Sequence, residues 1–233
     1  MNFIQRNVFK KLRSQYFQSG EVLEPMTRFK IKKLEALLSN VADSKEGTVT
    51  LTTPFLEKKL NNIEQNERHA IDTSVETINL LRIIVSNINA MLNYGVSFKG
   101  IIQLGKYLRS ENGGKIDWIK LDKWLSKLHI VRIAQLEGSI LIKFFHFEED
   151  EVPFVHHIEN GADGLTIRSL CNSWEDLTKE WHFRQNNMGF VHNNNKVLWR
   201  NLKQSMRYFE YAPVETIFNF LHNFARSLSE IEE

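Results

Sequence analysis

Four basic residues recur along one predicted helix in the last fifth of the sequence. Lys196, Arg200, Lys203 and Arg207 follow one another at steps of four, three and four, which places them on one face of a 3.6-residue helix. Basic side chains on one face can pair with phosphate groups. The same face can also be the solvated outer side of a packed helix, an interpretation that needs no ligand and is preferred. We name the four residues as candidate anion-binding or phosphate-binding residues.

A second pattern consists of Gly138-Ser139 followed by acidic residues near Asp150. Nucleotidyl transfer needs a turn that cradles phosphate, together with two carboxylates that alternate along a strand and share one magnesium ion. Here Gly138-Ser139 falls inside a helical period, and Asp150-Glu151-Val152 does not alternate in the required way. We therefore predict that the chain has no catalytic residues and is not an enzyme.

Acidic and histidine residues also raise the question of a metal site. Residues 148–151 are four adjacent acids, but they lack the spacing of a calcium-binding loop. His156, His157, His182 and His192 do not form a pair at helical spacing beside a carboxylate or thiolate, as zinc on a helix requires. We expect a solvated turn at 148–151, no metal and no cofactor.

Length and composition restrict the class of protein. A chain of 233 residues with 42% hydrophobic content can bury a sizeable core without metal or disulfides. Its one cysteine, Cys171, cannot form an internal disulfide, which favours a reducing cytoplasm. The net charge of +2 is nearly balanced and argues against a nucleic-acid partner.

The hydrophobic pattern predicts neither a membrane span nor a secretory signal. No apolar run approaches the roughly 20 residues that cross a bilayer. The start of the sequence, MNFIQRNVFKKLRSQ, lacks the uninterrupted apolar region of a signal peptide. It is typical of an amphipathic helix, which would either dock on the core or lie on an anionic membrane, and docking is the simpler interpretation. In that helix Arg13 is expected on the outer side.

Residues 72–147 carry most of the helical periodicity and predict four consecutive helices. The first has Thr73 and Glu76 in capping-box spacing and Gly95 as its stop. Its apolar residues fall on one stripe: Ile78, Leu81, Val85, Ile88 and Leu92. We expect this stripe to be buried together with Trp124 and Phe144 of the later helices. Ser97 and Asp117 are predicted to cap the second and third helices.

The segments on either side predict further helices. Residues 40–53 are the least helical stretch of the first half and predict a loop, with a short extended segment near 48–53 as the alternative. Thr53-Pro54 predicts the start of a helix whose charged end, Glu64 to Arg68, is expected to fray. A boundary is predicted at residues 160–164. The last helix begins near Pro213 and carries an apolar stripe: Val214, Ile217, Leu221, Phe224 and Leu228.

Together these patterns predict an all-α fold, an irregular bundle of about eight to ten helices. We expect a single domain over residues 1–233. In it, helices within 1–68 cover a core formed by 72–158, and residues 165–233 form a further helical subregion.

Several short motifs resemble an uncharacterised bacterial nucleotidyltransferase-like family in its helical carboxy-terminal half. The resemblance is carried by Gly95 with Lys99, by Ile116-Asp117-Trp118, by Asn186-Asn187-Met188-Gly189 and by Tyr211-Ala212-Pro213. The opening, Leu12-Arg13-Ser14 through Glu24-Pro25-Met26, is similar to that of some members, and the whole covers about two-thirds of the chain. Such a resemblance implies transfer of a nucleotide to a sugar or a protein.

The chain differs from that family in the portion that would carry the catalytic residues. The family's α/β portion would fall between the opening helices and the helical half, yet residues 40–72 are too few to form it. We therefore expect a non-catalytic helical interaction or accessory protein, a remnant of the family, with a protein partner. The alternative is a nucleotide- or phosphosugar-binding subunit of a split transferase, in which the four basic residues hold the ligand.

Overall fold

Most of the part of the chain that the structure describes is helical. A computed structural model describes residues 1–70, 72–180 and 206–229, with the backbone alone described at 172–180 and 226–229. Within these ranges there is no β-strand, which confirms the predicted all-α class. The same ranges contain no helix long and apolar enough to cross a membrane.

Nine α-helices lie within the described ranges, in agreement with the predicted eight to ten. They are α1 (Phe3–Phe17), α2 (Arg28–Ala42), α3 (Pro54–Arg68), α4 (Val75–Tyr94), α5 (Phe98–Leu108), α6 (Trp118–Lys127), α7 (Val131–Phe145), α8 (Ala162–Glu180) and α9 (Pro213–Ser229). Short 3₁₀ turns precede α6, at Gly113–Lys115, and follow α7, at Glu149–Glu151.

Helix α7 is the centre of the bundle. Every residue from Ile133 to Leu141 is buried, and α1, α4, α5, α6 and α8 all pack against this helix. Close packing on all sides requires small residues at some positions. At Gly138 an added Cβ atom would lie 2.2 Å from the Cγ2 atom of Val155, so the chain after α7 passes directly over its backbone. The buried apolar residues from α1 to the turn before α9 form one contiguous core around α7.

The predicted core stripe of α4 is confirmed. Its five residues, Ile78, Leu81, Val85, Ile88 and Leu92, are all buried. Phe144 of α7 is buried as well, whereas Trp124 of α6 is half-buried at the edge of the core.

Two helix caps that were predicted from local sequence are confirmed. The Ser97 hydroxyl accepts a hydrogen bond from the Gly100 N–H at 3.3 Å, and the Asp117 carboxylate accepts one from the Lys120 N–H at 2.9 Å. Gly95 ends α4 with a φ of 98°, a conformation that favours glycine. These caps use residues within one turn of the helix that they cap, so the sequence alone reveals them.

The predicted capping box at the start of α4 is wrong. The Thr73 hydroxyl donates to the carbonyl oxygens of Glu67 and Ala70, and α4 begins only after Ser74. The buried Glu67 carboxylate accepts the Ser74 N–H at 2.7 Å and pairs with Lys120 at 2.9 Å. The end of α3, which was expected to fray, therefore holds the start of α4 instead.

Arg13 was predicted on the outer side of α1, and this prediction is also wrong. Its guanidinium is buried, donates to the Phe144 carbonyl oxygen at 2.7 Å and binds both carboxylate oxygens of Glu21 at 2.5 and 2.6 Å. The Arg13 hydrogen bond holds the pKa of Glu21 below its ordinary value. Because the charge is paired, Arg13 can link α1 to the end of α7 inside the bundle.

The connection between α2 and α3 is a loop, as predicted, with residues 40–42 forming the last turn of α2. It lies directly on α4: an added Cβ atom at Gly47 would be 2.0 Å from the Ser86 carbonyl oxygen, and the Ser86 hydroxyl donates to the Gly47 carbonyl oxygen at 2.7 Å. The loop ends at the buried residues Leu51 and Thr53.

The boundary predicted at residues 160–164 is the start of α8. This helix begins at Ala162 and packs against α2 and α7, and the Asn40 side chain donates to the Leu170 carbonyl oxygen at 3.4 Å. Trp181, which continues the three-four apolar spacing of this helix in the sequence, lies outside the described residues.

Glu137 is a wholly buried carboxyl group in the middle of α7. One of its oxygens accepts a hydrogen bond from the Asn87 amide at 2.9 Å, and among the described residues the other has no hydrogen-bond partner. Burial raises the pKa of Glu137 well above its ordinary value, and the Asn87 hydrogen bond opposes this only in part. The protonated, neutral form of this carboxyl group is therefore favoured by folding.

We predict that Val85→Asp lowers the free energy of unfolding by about 3 kcal/mol or more, because it places an unpaired charge at a position with no exposed surface. The matched control is Val75→Asp, which introduces the same residue at the exposed first position of the same helix. Urea denaturation of both variants checks this. Equal losses of stability at the two positions would contradict the assignment of the core.

We also predict that Glu137→Gln stabilises the protein at neutral pH and flattens its pH dependence. The raised pKa means that the folded state keeps a proton that the unfolded state releases above about pH 4.5. Stability supplied by Glu137 is thus fully present below that pH and declines as the pH rises. Denaturation of parent and variant at several pH values measures the difference, which should grow with pH. A difference that is constant or shrinks would mean that Glu137 is ionised when folded.

Candidate functional site

The predicted basic face is described at one position only. Lys196, Arg200 and Lys203 lie outside the described residues. Arg207 is half-buried in a helical turn at 206–208. The anion-binding or phosphate-binding role of these four residues stays a prediction.

Gly138-Ser139 and Asp150 do not come together as a nucleotide site. Gly138-Ser139 lies in the buried part of α7, where the Ser139 hydroxyl donates to the Gln135 carbonyl oxygen at 2.7 Å and accepts the Glu159 N–H at 2.9 Å. Asp150 is exposed in the 3₁₀ turn after α7. A serine in the middle of a packed helix cannot form a phosphate-cradling turn, as the helical spacing predicted.

The acidic run and the histidines have structural neighbours. Arg109 donates to the Glu151 carboxylate at 2.6 and 2.8 Å, and this hydrogen bond holds the pKa of Glu151 below its ordinary value. His156 lies near Asp122, with 3.7 Å between the two polar atoms, while His182 and His192 are outside the described residues. In the described part of the chain, no three histidine, cysteine, aspartate or glutamate side chains are close enough to hold a metal ion.

Arg132 lies in a group of charged residues that fixes the chain before α9. Its guanidinium donates to the buried Glu159 carboxylate at 3.2 and 3.1 Å and to the Glu210 carbonyl oxygen at 2.9 Å. His157 lies 3.0 Å from the same Glu159 carboxylate, and the guanidinium lies over the Tyr211 ring. Arg132 lies in the first turn of α7 and donates to the Glu210 carbonyl oxygen. This group therefore ties the start of α7 to the turn that enters α9.

Tyr208 anchors the same turn from the inside. It is almost completely buried, and burial raises the pKa of its phenol to about 12, against the opposing effect of a hydrogen bond with Ser169 of α8. Arg132 of α7 binds Glu210, and Ser169 of α8 binds Tyr208. These two contacts hold the turn before α9 and therefore determine where α9 starts.

Glu215, in the first turn of α9, fixes how the helix is rotated about its axis. Its carboxylate accepts the backbone N–H groups of Thr52 and Thr53 at 2.8 and 3.1 Å, so it holds the end of the α2–α3 loop. Burial raises the pKa of Glu215, and the hydrogen bonds from Thr53 and Thr52 oppose this effect. Only 2% of Glu215 is exposed.

One turn further on, Asn219 continues the same side of α9. Its amide donates to the Leu92 carbonyl oxygen at 3.4 Å, near the end of α4, and only 2% of the residue is exposed. Asn223 follows with a hydrogen bond to the Asn93 side chain at 3.3 Å. The inner side of α9 is therefore polar, with Glu215, Asn219 and Asn223 at steps of four residues.

The apolar stripe of α9 faces outward. Exposed fractions are 47% for Ile217, 51% for Leu221 and 39% for Phe224, while Val214 is half-buried and the side chain of Leu228 is not among those described. The reason is geometric. These residues lie about half a turn away from Glu215 and Asn219, which are held by the α2–α3 loop and by α4.

Further aromatic residues enlarge this outward face. Phe220 stacks on Phe224 with 6.1 Å between ring centroids, and Phe218 meets the half-exposed Phe55 of α3 edge-on at 6.3 Å. We call Phe55, Ile217, Phe220, Leu221 and Phe224 the α9 surface. Apolar side chains that are exposed together can mark interaction sites on proteins.

Comparisons with known proteins give no independent guide to this surface. No family model matches the chain, and no curated protein and no solved structure matches it either. The relationship to a nucleotidyltransferase-like family accordingly stays a prediction.

We predict that Glu215→Ala lowers the free energy of unfolding by about 1–3 kcal/mol, because it removes the acceptor of two backbone N–H groups, one of them on a buried residue. Amide hydrogen exchange at Thr52 and Thr53 should become faster. Glu215→Gln keeps one acceptor oxygen and should be affected less. Unchanged exchange at both amides in the alanine variant would show that Glu215 does not hold the loop.

Proposed function

We propose that this chain is a non-catalytic helical module for protein interaction and that the α9 surface is its binding surface. One observation carries the proposal: α9 buries Glu215 and Asn219 and leaves Leu221 half-exposed. A helix that only covered a core would have the opposite arrangement, with its apolar stripe inward and its polar side in water.

The shape of the surface fits binding to another helix. Ile217, Leu221 and Phe224 stand at positions i, i+4 and i+7, the spacing with which one helix presents apolar side chains to a partner. Phe55 and Phe220 add aromatic area, which is enriched in interfaces between proteins. Anchoring by Arg132 and Glu215 restricts α9 before binding, so little conformational entropy is lost in the complex.

The residues that resembled a catalytic pattern have structural roles, which favours a non-catalytic function. Ser139 joins α7 to the residues before α8, and Glu151 pairs with Arg109. Descent from a nucleotidyltransferase-like ancestor is compatible with this proposal. The alternative, a nucleotide- or phosphosugar-binding subunit of a split transferase, depends on the basic face at 196–207.

Photo-crosslinking tests the proposal. A photoreactive residue in place of Leu221 should form an adduct with a protein in an extract of the cells that make the chain. The same residue in place of Val22, an exposed aliphatic position in the connection between α1 and α2, is the matched control and should not. Adding Phe224→Glu to the position-221 probe should abolish the adduct, because a charge in an apolar contact is costly.

Mass spectrometry of the adducts gives the outcome. A specific adduct from position 221 that disappears with Phe224→Glu supports the proposal. If position 221 yields no more product than position 22, the α9 surface is not a binding surface and the proposal fails.

A further inference from the structure

The first six residues of α2 lie outside the packed part of the bundle. Each of residues 28–33 is exposed, and the first buried residue of the helix is Leu34. Six consecutive residues make more than one full turn, so every side of the helix is accessible there. We call residues 28–33 the α2 tip. It shares no residue with the α9 surface, so its role is independent of the proposed function.

Four of the six residues in the α2 tip are basic, and none of them pairs with an acid in the described part of the chain. They are Arg28, Lys30, Lys32 and Lys33. The acids nearest to them in the sequence are Glu24 and Glu35. Glu24 pairs with Lys10 at 3.0 Å, and Glu35 is exposed and forms no ion pair with the tip. The α2 tip therefore presents four positive charges that no described carboxylate neutralises.

The position of these charges is unfavourable for α2 itself. The amino-terminal end of a helix is the positive end of its dipole, where acidic residues stabilise the helix and basic residues destabilise it. The first turn of α2 contains no acidic residue, and Thr27 makes no side-chain capping hydrogen bond. The stability of α2 therefore does not explain the four charges, whereas an anionic partner would be attracted to them.

Two apolar side chains are exposed among the charges. The exposed fractions are 67% for Phe29 and 38% for Ile31. The Lys33 ammonium group lies 4.6 Å from the centroid of the Phe29 ring, so charge and apolar area are presented side by side. Residues two positions apart point to different sides of a helix, so Phe29 and Ile31 cannot both face one partner helix. A lipid surface that surrounds the end of the helix reaches both.

We propose that the α2 tip binds the surface of an anionic lipid bilayer. Its basic side chains contact the lipid headgroups, while Phe29 and Ile31 enter the boundary between headgroups and acyl chains. A single-stranded nucleic acid would also attract the cations, but it binds by stacking bases on aromatic faces. The Phe29 ring already carries the Lys33 ammonium group, and Ile31 has no aromatic face. The lipid surface is the partner that uses both apolar side chains.

Vesicle flotation with the full chain tests the proposal. The parent should bind vesicles of phosphatidylcholine mixed with phosphatidylserine, and it should not bind phosphatidylcholine alone, because the attraction requires anionic headgroups. The double variant Arg28→Glu/Lys32→Glu should weaken binding by about tenfold or more. Lys30 is kept, since its ammonium group lies 4.5 Å from the centroid of the Phe3 ring in α1.

The matched control is Lys123→Glu/Lys127→Glu, which reverses two exposed lysines of α6. It changes the net charge by the same amount and should bind the mixed vesicles as the parent does. Thermal unfolding separates lost binding from lost folding. Acidic residues at the start of α2 should raise the melting temperature, whereas acidic residues near the end of α6 should not, because the two helix ends have opposite dipole charge. A more stable variant that binds less cannot owe its loss of binding to unfolding.

Phe29→Ala tests the apolar part of the contact. It leaves the charge unchanged and should weaken binding to the mixed vesicles by about fivefold, because less apolar area enters the bilayer. Phe55→Ala is the matched control, since Phe55 is also half-exposed and also has a lysine, Lys59, over its ring. It should leave binding unchanged. If Phe29→Ala binds as well as the parent, no insertion occurs and the proposal is wrong.

Three further results would overturn the proposal. The first is a parent chain that binds no anionic vesicles. The second is an equal loss of binding in the two double variants, which would mean that overall charge and not the α2 tip is responsible. The third is binding of a labelled single-stranded oligonucleotide, but not of vesicles, that Arg28→Glu/Lys32→Glu abolishes. In that case the α2 tip would be a nucleic-acid site.

Discussion

The hydrogen bonds from Thr52 and Thr53 to the Glu215 carboxylate determine which side of α9 faces water. Turning α9 by half a revolution would bury Ile217 and Leu221 more fully. Their remaining exposed area corresponds to about 1 kcal/mol for each side chain. The same rotation would leave two backbone N–H groups without their acceptor, at a cost of about 1–3 kcal/mol each. The observed orientation is therefore favoured within the chain, and the apolar side remains accessible to a partner.

The rest of the bundle supplies a fixed platform for that helix. Helix α7 is enclosed by five others, and Arg132 in its first turn binds both Glu159 and the turn before α9. Arg13, at the other end of α7, connects α1 through the Phe144 carbonyl oxygen. The Arg13 guanidinium and the Glu159 carboxylate are buried, and a buried charge is stable only with its own partner in place. They fix the positions of the helices more narrowly than apolar contacts alone would.

Local patterns in the sequence were sufficient to predict the helices and two of the residues that cap them. The stripe of α4 and the caps at Ser97 and Asp117 involve residues within a few positions of each other, so periodicity and residue type reveal them. The cap at the start of α4 could not be found in this way, because Glu67 of the preceding helix supplies it. Arg13 was misplaced for a similar reason: a basic residue at the edge of an amphipathic face is solvated unless a distant carbonyl group and carboxylate meet it.

The direction of the apolar side of α9 could not be predicted from the sequence, and the cause is physical. Amphipathic periodicity shows that a helix has an apolar side, but not whether that side meets its own core or another molecule. One signal was present in the sequence. The opposite side carries Glu215, Asn219 and Asn223 at steps of four, and amide side chains can both donate and accept hydrogen bonds in a buried setting.

Methyl NMR spectroscopy with isotope-filtered nuclear Overhauser effects tests the orientation of α9 most directly, because it separates contacts within one chain from contacts between chains. The structure predicts intrachain effects between the Phe218 and Phe55 rings, and none between the methyl groups of Leu221 and those of Ile88 or Leu92 in α4. Intrachain effects from Leu221 to those α4 methyl groups would mean that the apolar stripe belongs to the core, which would contradict the outward orientation of α9.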